Sequence, residues 1–243
     1  MQKIRDLLKA KANDNWGQGP LTFAFLGDSV TQTCFELYKK SDGAIDAYYD
    51  ADAAYHLYLK RMLAMLYPSV PVNILNAGIG GDNAPHGLER LERDVIAHHP
   101  DLAVVCYGLN DSWGGLDGLS TYGDALGQIF DRLKEAGIET LFMTPNMMCT
   151  EISCHLEDET ILEMAKGASE LQNSGVMDRY METARKVCAE HGVPVCDCYA
   201  QWKTMHGAGV NTTELLANQL NHPTREMNWL FAVSLLHSIF NEP

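Results

Sequence analysis

Four short segments of the chain carry the residue types that acyl transfer requires. Gly27-Asp28-Ser29 offers a hydroxyl and Asn76-Ala77-Gly78-Ile79-Gly80-Gly81-Asp82 a run of small and polar residues. Gly108-Leu109-Asn110-Asp111 adds a side-chain amide, and Asn221-His222-Pro223 an imidazole. A hydroxyl attacks a carbonyl when a base takes its proton, and the oxyanion that develops needs at least two hydrogen-bond donors. Ser29, His222, and the pair Gly81 and Asn110 match that inventory. Each has an ordinary reading taken singly: Ser29 as a helix cap, Gly81 as a turn glycine, Asn110 as a loop brace. Their joint presence is what calls for chemistry.

Such residues act together only if the fold brings four distant segments to one place, and the hydrophobic patterning says how. Strand-length apolar runs alternate with longer stretches of helical period. LTFAFL at 21–26 stops at Gly27 and is followed by a helical 53–67. VNIL at 72–75 leads through a glycine-rich turn into HGLERLERDVIAHH, where Leu88, Leu91, Val95 and Ile96 share one face. DLAVVCYG follows Pro100; helical 121–136 ends at Gly137 and gives way to IETLFMT. One or two helices over 157–191 end at Gly192, VPVCD at 193–197 is the last strand, and 224–240 is helical, with Pro223 helping to begin that helix and His222 on the loop before it. Strands rich in Val, Ile, Leu and Phe, without polar alternation, predict a mostly parallel sheet covered on both faces: an α/β, three-layer α/β/α sandwich. No repeat or linker divides the chain, so 1–243 reads as one domain, with 145–180 as an insertion. Ligands of such sheets bind beyond the carboxyl ends of the strands, where the first three segments fall.

Composition narrows the partners. Eighteen Lys and Arg against 32 Asp and Glu give a net charge of −14, which argues against a nucleic acid, whose phosphates need clustered cations. The most apolar late stretch, WLFAVSLLHSIF, has twelve residues and reads as a buried terminal helix, too short to span a bilayer. The charged amino end lacks an apolar core of signal-peptide length, and seven cysteines without framework spacing fit reduced thiols, so a cytoplasmic location is expected. GIGG follows a strand as a phosphate loop does, but Asn83 stands where the last glycine of G-x-G-x-x-G belongs, which speaks against a nucleotide. Cys149, Cys154 and His155, and Cys188, His191, Cys196 and Cys198, match no zinc spacing and read as core and loop residues.

The four segments resemble, in order and over nearly the whole chain, the motifs of the SGNH hydrolases, also called the GDSL esterase and lipase family. FLGDSVTQ carries Ser29 at the nucleophile position, with Val30 where many members have Leu; NAGIGGDNA carries Gly81, YGLND carries Asn110, and NHPTREMNWLFA carries His222. The resemblance implies a flavodoxin-like sandwich and a cofactor-free, metal-free serine esterase. In it Ser29 is the nucleophile, His222 the base, and the N–H groups of Ser29 and Gly81 with the Asn110 amide form the oxyanion hole. One position departs: the family usually carries Asp three residues before the histidine, and here it is Gln219. Gln219 itself, Asn218, Asn221, a backbone carbonyl, Asp197, Glu214 and Glu226 are the candidates to orient the imidazole in its place.

The expected substrate is a small-molecule acyl ester, a small acyl group, acetyl first, on a soluble carrier such as a carbohydrate. Lysophospholipase or thioesterase activity, or a catalytically inactive binding protein, are the alternatives on the same fold. Trp113, just after the Asn110 segment, suits either stacking on a sugar or anchoring its glycine-rich loop.

Overall fold

The structure, a computed structural model, describes residues 1–241. In chain order its elements are α1 (Gln2–Asn13), β1 (Leu21–Gly27), α2 (Ser29–Gln32), β2 (Cys34–Lys39), β3 (Ile45–Tyr49), α3 (Tyr55–Leu66), β4 (Val72–Gly78), α4 (Ala84–Asp94), β5 (Leu102–Cys106), α5 (Leu119–Glu135), β6 (Glu139–Met143), α6 (Glu159–Asn173), α7 (Val176–His191), β7 (Val195–Cys196), α8 (Cys198–Gly207) and α9 (Asn228–Phe240), joined by short 3₁₀ turns. Strands β4-β1-β5-β6-β7 form one sheet, and every pairing in it is parallel. The expected α/β/α sandwich is therefore present.

Its strand order is that of flavodoxin-like folds, and it fixes where a ligand can sit. The chain leaves β1 for β4 on one side and crosses back from β4 to β5 on the other, so the loops after β1 and β5 diverge and open a crevice. Right-handed crossovers then place α4, α5 and α7 on one face, where α5 packs on both others, and α3 with α9 on the opposite face. Strand β5, Leu-Ala-Val-Val-Cys, is buried at every position, as the central strand of a covered sheet must be. Each such Val or Leu removed from water contributes roughly 1.5–3 kcal/mol before entropy is charged against it. Gly137 and Gly192 end α5 and α7 with φ of +70° and +69°, so both glycines stop helices as the sequence indicated.

Three features depart from the sequence reading. The amino end folds as α1, with Ile4 and Leu8 buried and the Lys11 ammonium donating to the Asn15 and Gln18 carbonyls. A two-stranded antiparallel hairpin, β2 with β3, stands apart from the main sheet. Helix α9 starts at Asn228, and Pro223 instead forms an isolated bridge with Leu216 that holds the His222 loop down. The excursion expected over 145–180 lies between β6 and α7 and ends sooner, because α7, the crossover helix to β7, already starts at Val176; its helix α6 reaches the crevice through Met164. Among the described residues no helix is long and apolar enough to cross a membrane.

Candidate active site

Ser29 is the first residue of α2, a four-residue helix that begins two residues after β1 ends. Asp28 caps it, its Oδ1 accepting the Val30 N–H at 3.0 Å. A first-turn N–H has no intrahelical acceptor, so the Ser29 N–H is available to a ligand by its position. Gly78, at the end of β4, lies so close to α2 that a Cβ there would sit 2.3 Å from the Gln32 nitrogen, which is why this crossing requires glycine. Gln32 in turn accepts the Gly80 N–H on its Oε1 at 2.6 Å, setting the loop before Gly81. Gly81 has φ +75°, a backbone shape that L side chains rarely take.

Asn110 follows β5 and donates one amide hydrogen to the Asp82 carbonyl at 2.8 Å, which leaves its second N–H to point elsewhere. Behind these loops Arg90 ties the sheet end together. It donates to the Gly27 and Ala77 carbonyls at 3.0 and 2.6 Å and pairs with Asp82, which also accepts the Tyr107 hydroxyl at 2.8 Å. Neither Arg90 nor Tyr107 stood out in the sequence. A buried arginine paired with Asp82 and Asp94 and capping two strand-end carbonyls is a brace whose partners only the fold reveals.

His222 Nε2 lies 2.9 Å from Ser29 Oγ, and His222 Nδ1 lies 2.8 Å from the Phe35 carbonyl oxygen. An acceptor at Nδ1 holds the proton there and leaves Nε2 to accept the serine proton, the tautomer a general base needs. The Phe35 backbone thus occupies the place of the acid. Gln219 does not: its Nε2 donates to the Leu216 carbonyl at 2.9 Å and its Oε1 is buried without a partner. Asn218 instead shapes the loop, its Oδ1 accepting the N–H groups of Leu220, Asn221 and His222 at 2.8–3.0 Å. Asp197 is engaged with Arg185 and Thr144. Of the orienting groups considered from sequence, the backbone carbonyl is the one found.

Burial pushes the His222 imidazole down to about 4, against the opposing pull of the Phe35 carbonyl and the Glu36 charge, so it is neutral and able to accept a proton near neutrality. Burial likewise raises Asp28 to about 7, with the charges of Asp111 and Asp82 adding to the effect, and Asp111 to about 6. Asp28 Oδ2 and Asp111 Oδ2 are buried without partners. A carboxyl whose folded value lies above its usual 3.8 stabilises the fold most below that pH and loses the contribution as pH rises towards about 7. Asp28→Asn keeps an oxygen for the Val30 N–H and cannot ionise. Its stability relative to the parent is therefore expected to improve between about pH 4 and about pH 8, by up to a few kcal/mol at roughly 1.4 kcal/mol per pH unit, and is read as a rise in relative Tm. A gap between the two melting curves that is the same at both pH values would contradict this.

Ser29, Gly80, Gly81, Asn110 and His222 all line one cleft of about 380 Å³. The four residues singled out in the sequence are therefore brought together. The hairpin lines the same cleft through Cys34, Leu37, Ile45, Asp46, Ala47 and Tyr49, together with Met164 of α6. Trp113 is not part of that lining. Its ring lies over α6, so close to Gly167 that a Cβ there would meet it at 2.7 Å, which makes it the anchor of its loop and not a stacking face in this cleft. Cys34, Cys106, Cys149, Cys188, Cys196 and Cys198 are buried and Cys154 is exposed, all as free thiols.

The model of the GDSL-like lipase/acylhydrolase family matches residues 25–230 of the chain, a span that holds all four of these groups. The chain belongs to this family. Among curated relatives, an acetylxylan esterase from Geobacillus stearothermophilus is 32% identical over 93 residues, which is 38% of this chain and 41% of that protein. The match thus spans less than half the relative's length. Among solved structures, an acetylxylan esterase from Geobacillus stearothermophilus superposes with a TM-score of 0.67 at 22% identity, covering 91% of this chain and 95% of that one. Its catalytic mutants include changes at a serine, a histidine and an aspartate. A second acetyl xylan esterase gives 0.67 at 19% identity over 90% of this chain and 100% of its own. A lipase/acylhydrolase from Enterococcus faecalis gives 0.64 at 21% over 90% and 95%. At these identities the family members share the fold.

Proposed function

We propose that this chain is a serine ester hydrolase that removes a small acyl group, acetyl first, from a soluble carbohydrate carrier. The observation that carries the proposal is the relay Phe35 carbonyl, His222, Ser29, with bonds of 2.8 and 2.9 Å, opening onto a cleft shared with Gly81 and Asn110. His222 Nε2 takes the Ser29 proton as Oγ bonds to the ester carbonyl carbon. The carbonyl oxygen becomes an oxyanion held by the N–H groups of Ser29 and Gly81 and the Asn110 amide. His222 then gives the proton to the leaving alcohol oxygen, and water, deprotonated by the same nitrogen, releases the acid and restores Ser29. The acetyl and carbohydrate assignment draws on the acetylxylan esterases to which the chain is similar.

The apolar side chains of Leu37, Ile45, Ala47 and Met164 in the cleft favour one second reading: an acyl chain longer than acetyl, as in a lysophospholipase or thioesterase. A series of chromogenic esters from acetate to octanoate, followed by acetylated xylo-oligosaccharides, separates the two. The proposal expects kcat/KM to fall with chain length and to be highest on acetylated sugar. A maximum at octanoate would overturn the acetyl assignment.

The pH profile provides a further check on the relay. A base held near pH 4 is protonated only below that value, so the acidic limb of kcat/KM is expected close to pH 4, with activity lost as pH falls through it. A carboxylate at Nδ1 would favour the imidazolium and place the limb at or above the ordinary histidine value of about 6.5. Measuring kcat/KM from about pH 3 to about pH 8, with circular dichroism to follow the fold, distinguishes them; a limb above about 6 would contradict the relay.

A further inference from the structure

We infer that Arg225 is a positioning residue that holds the Phe35 carbonyl on His222 Nδ1, doing through the backbone what a side-chain carboxylate does in a full triad. The inference rests on Ser29 and His222 acting as proposed above. A carboxylate can follow the imidazole by rotating its own side chain, whereas a carbonyl stays where its strand puts it. The relay therefore depends on how firmly residues 34–36 are held against the His222 loop.

The hairpin alone does not hold them. Its ladder pairs Cys34 with Tyr49 and Leu37 with Ala47, and the register shifts between, so Phe35 and Glu36 have no strand partners. A two-stranded ribbon is marginal by itself, and a bulge within it adds freedom just where the carbonyl is used. Arg225, three residues beyond His222, supplies the missing constraint. Its guanidinium donates through Nη1 and Nη2 to both oxygens of Glu36 and through Nε to Asp50, just past β3, at 2.9 Å. The guanidinium also lies 4.3 Å from the centre of the buried Phe35 ring. One side chain on the histidine loop thus grips the residue that supplies the carbonyl, the residue after it, and the far strand's end. The two-pronged fork on Glu36 fixes orientation as well as distance, which a lysine cannot do. The clamp holds Glu36 and Asp50 below the ordinary carboxylate range, Arg225 being the leading cause at each, so it stays charged across the range where a neutral His222 works.

The test compares Arg225→Met, which keeps the stem but loses the fork, with Arg225→Lys and Glu36→Gln. Two readouts are taken on the parent and each variant: kcat and KM on an acetyl ester, and the nitrogen NMR shifts of labelled His222, which report which ring nitrogen carries the proton. Arg225→Met is expected to lower kcat about tenfold to a hundredfold, with KM changed less than about threefold, within the roughly 10⁴-fold ceiling known for a wrongly held imidazole. His222 should move from a predominantly Nδ1–H form to a mixture. Lysine should restore part of both, and Glu36→Gln should act in the same direction with a smaller effect, which keeps the test intact if Arg225→Met does not fold. A folded Arg225→Met with the parent's kcat, or with reduced kcat but an unchanged His222 tautomer, overturns the inference. So does a loss of Tm with both readouts unmoved. If the parent hydrolyses no ester, the proposed function falls, and the NMR arm still judges the clamp independently.

Discussion

Ser29→Ala is expected to reduce ester hydrolysis to the floor of the assay, a loss on the order of 10⁶-fold in kcat, while the protein remains folded. Deleting the nucleophile of a serine hydrolase removes the covalent route altogether and leaves only the modest rate that a polarising pocket gives to water. The fold should tolerate the change because the lost atom is a single hydroxyl whose bond is to His222, and the helix it begins is capped by Asp28 and not by Ser29 itself. Steady-state rates together with a thermal melt measure both halves. Turnover within about tenfold of the parent would mean that Ser29 is a helix-start residue and that another group attacks.

Asn110→Ala is expected to lower kcat by about 10²–10³-fold with little change in KM, the usual effect of deleting one oxyanion donor. The reason lies in the charge that develops. A ground-state carbonyl makes a weak acceptor, whereas the tetrahedral oxyanion draws strongly on a donor already held in place, so the interaction appears in kcat. Asn110 is held in this way by its bond to the Asp82 carbonyl, and Asp82 by Arg90 and Tyr107. The competing account makes Asn110 a brace for the loop after β5. It expects a fall in Tm with kcat nearly unchanged, and kinetics beside a melting curve separate the two.

The residues that carry these predictions were legible before the fold was known because their chemistry lies in residue type and their placement in strand periodicity. Gly27, Gly78 and Gly108 sit at or just beyond the ends of β1, β4 and β5, and the residues after them face one crevice because parallel strands all end on the same side. The carbonyl of Phe35 was not legible, since a backbone acceptor leaves no mark on residue type. A backbone carbonyl is among the candidates that the sequence offers, but which residue supplies it depends on the hairpin. Ser41-Asp42-Gly43 between two short runs rich in aromatic and apolar residues is a turn signal that would have revealed it. Gln219 misled for the opposite reason: its place in the motif suggested contact with His222. In the structure, φ of +58° and a bond to Leu216 direct it into its own turn. Pro223 shows the same limit, because its fixed φ suits a helix start as well as the bridge to Leu216 that it makes.

The central claim is that Ser29 is activated by an imidazole whose other nitrogen rests on a backbone carbonyl. Peptide mass mapping after exposure to a serine-directed phosphonate tests it most directly. The account expects one adduct, on the peptide containing Ser29, formed at a rate that follows loss of esterase activity, absent in Ser29→Ala and strongly slowed in His222→Ala. Inactivation without an adduct on Ser29, or labelling of Ser29 at an unchanged rate when His222 is replaced, would contradict it.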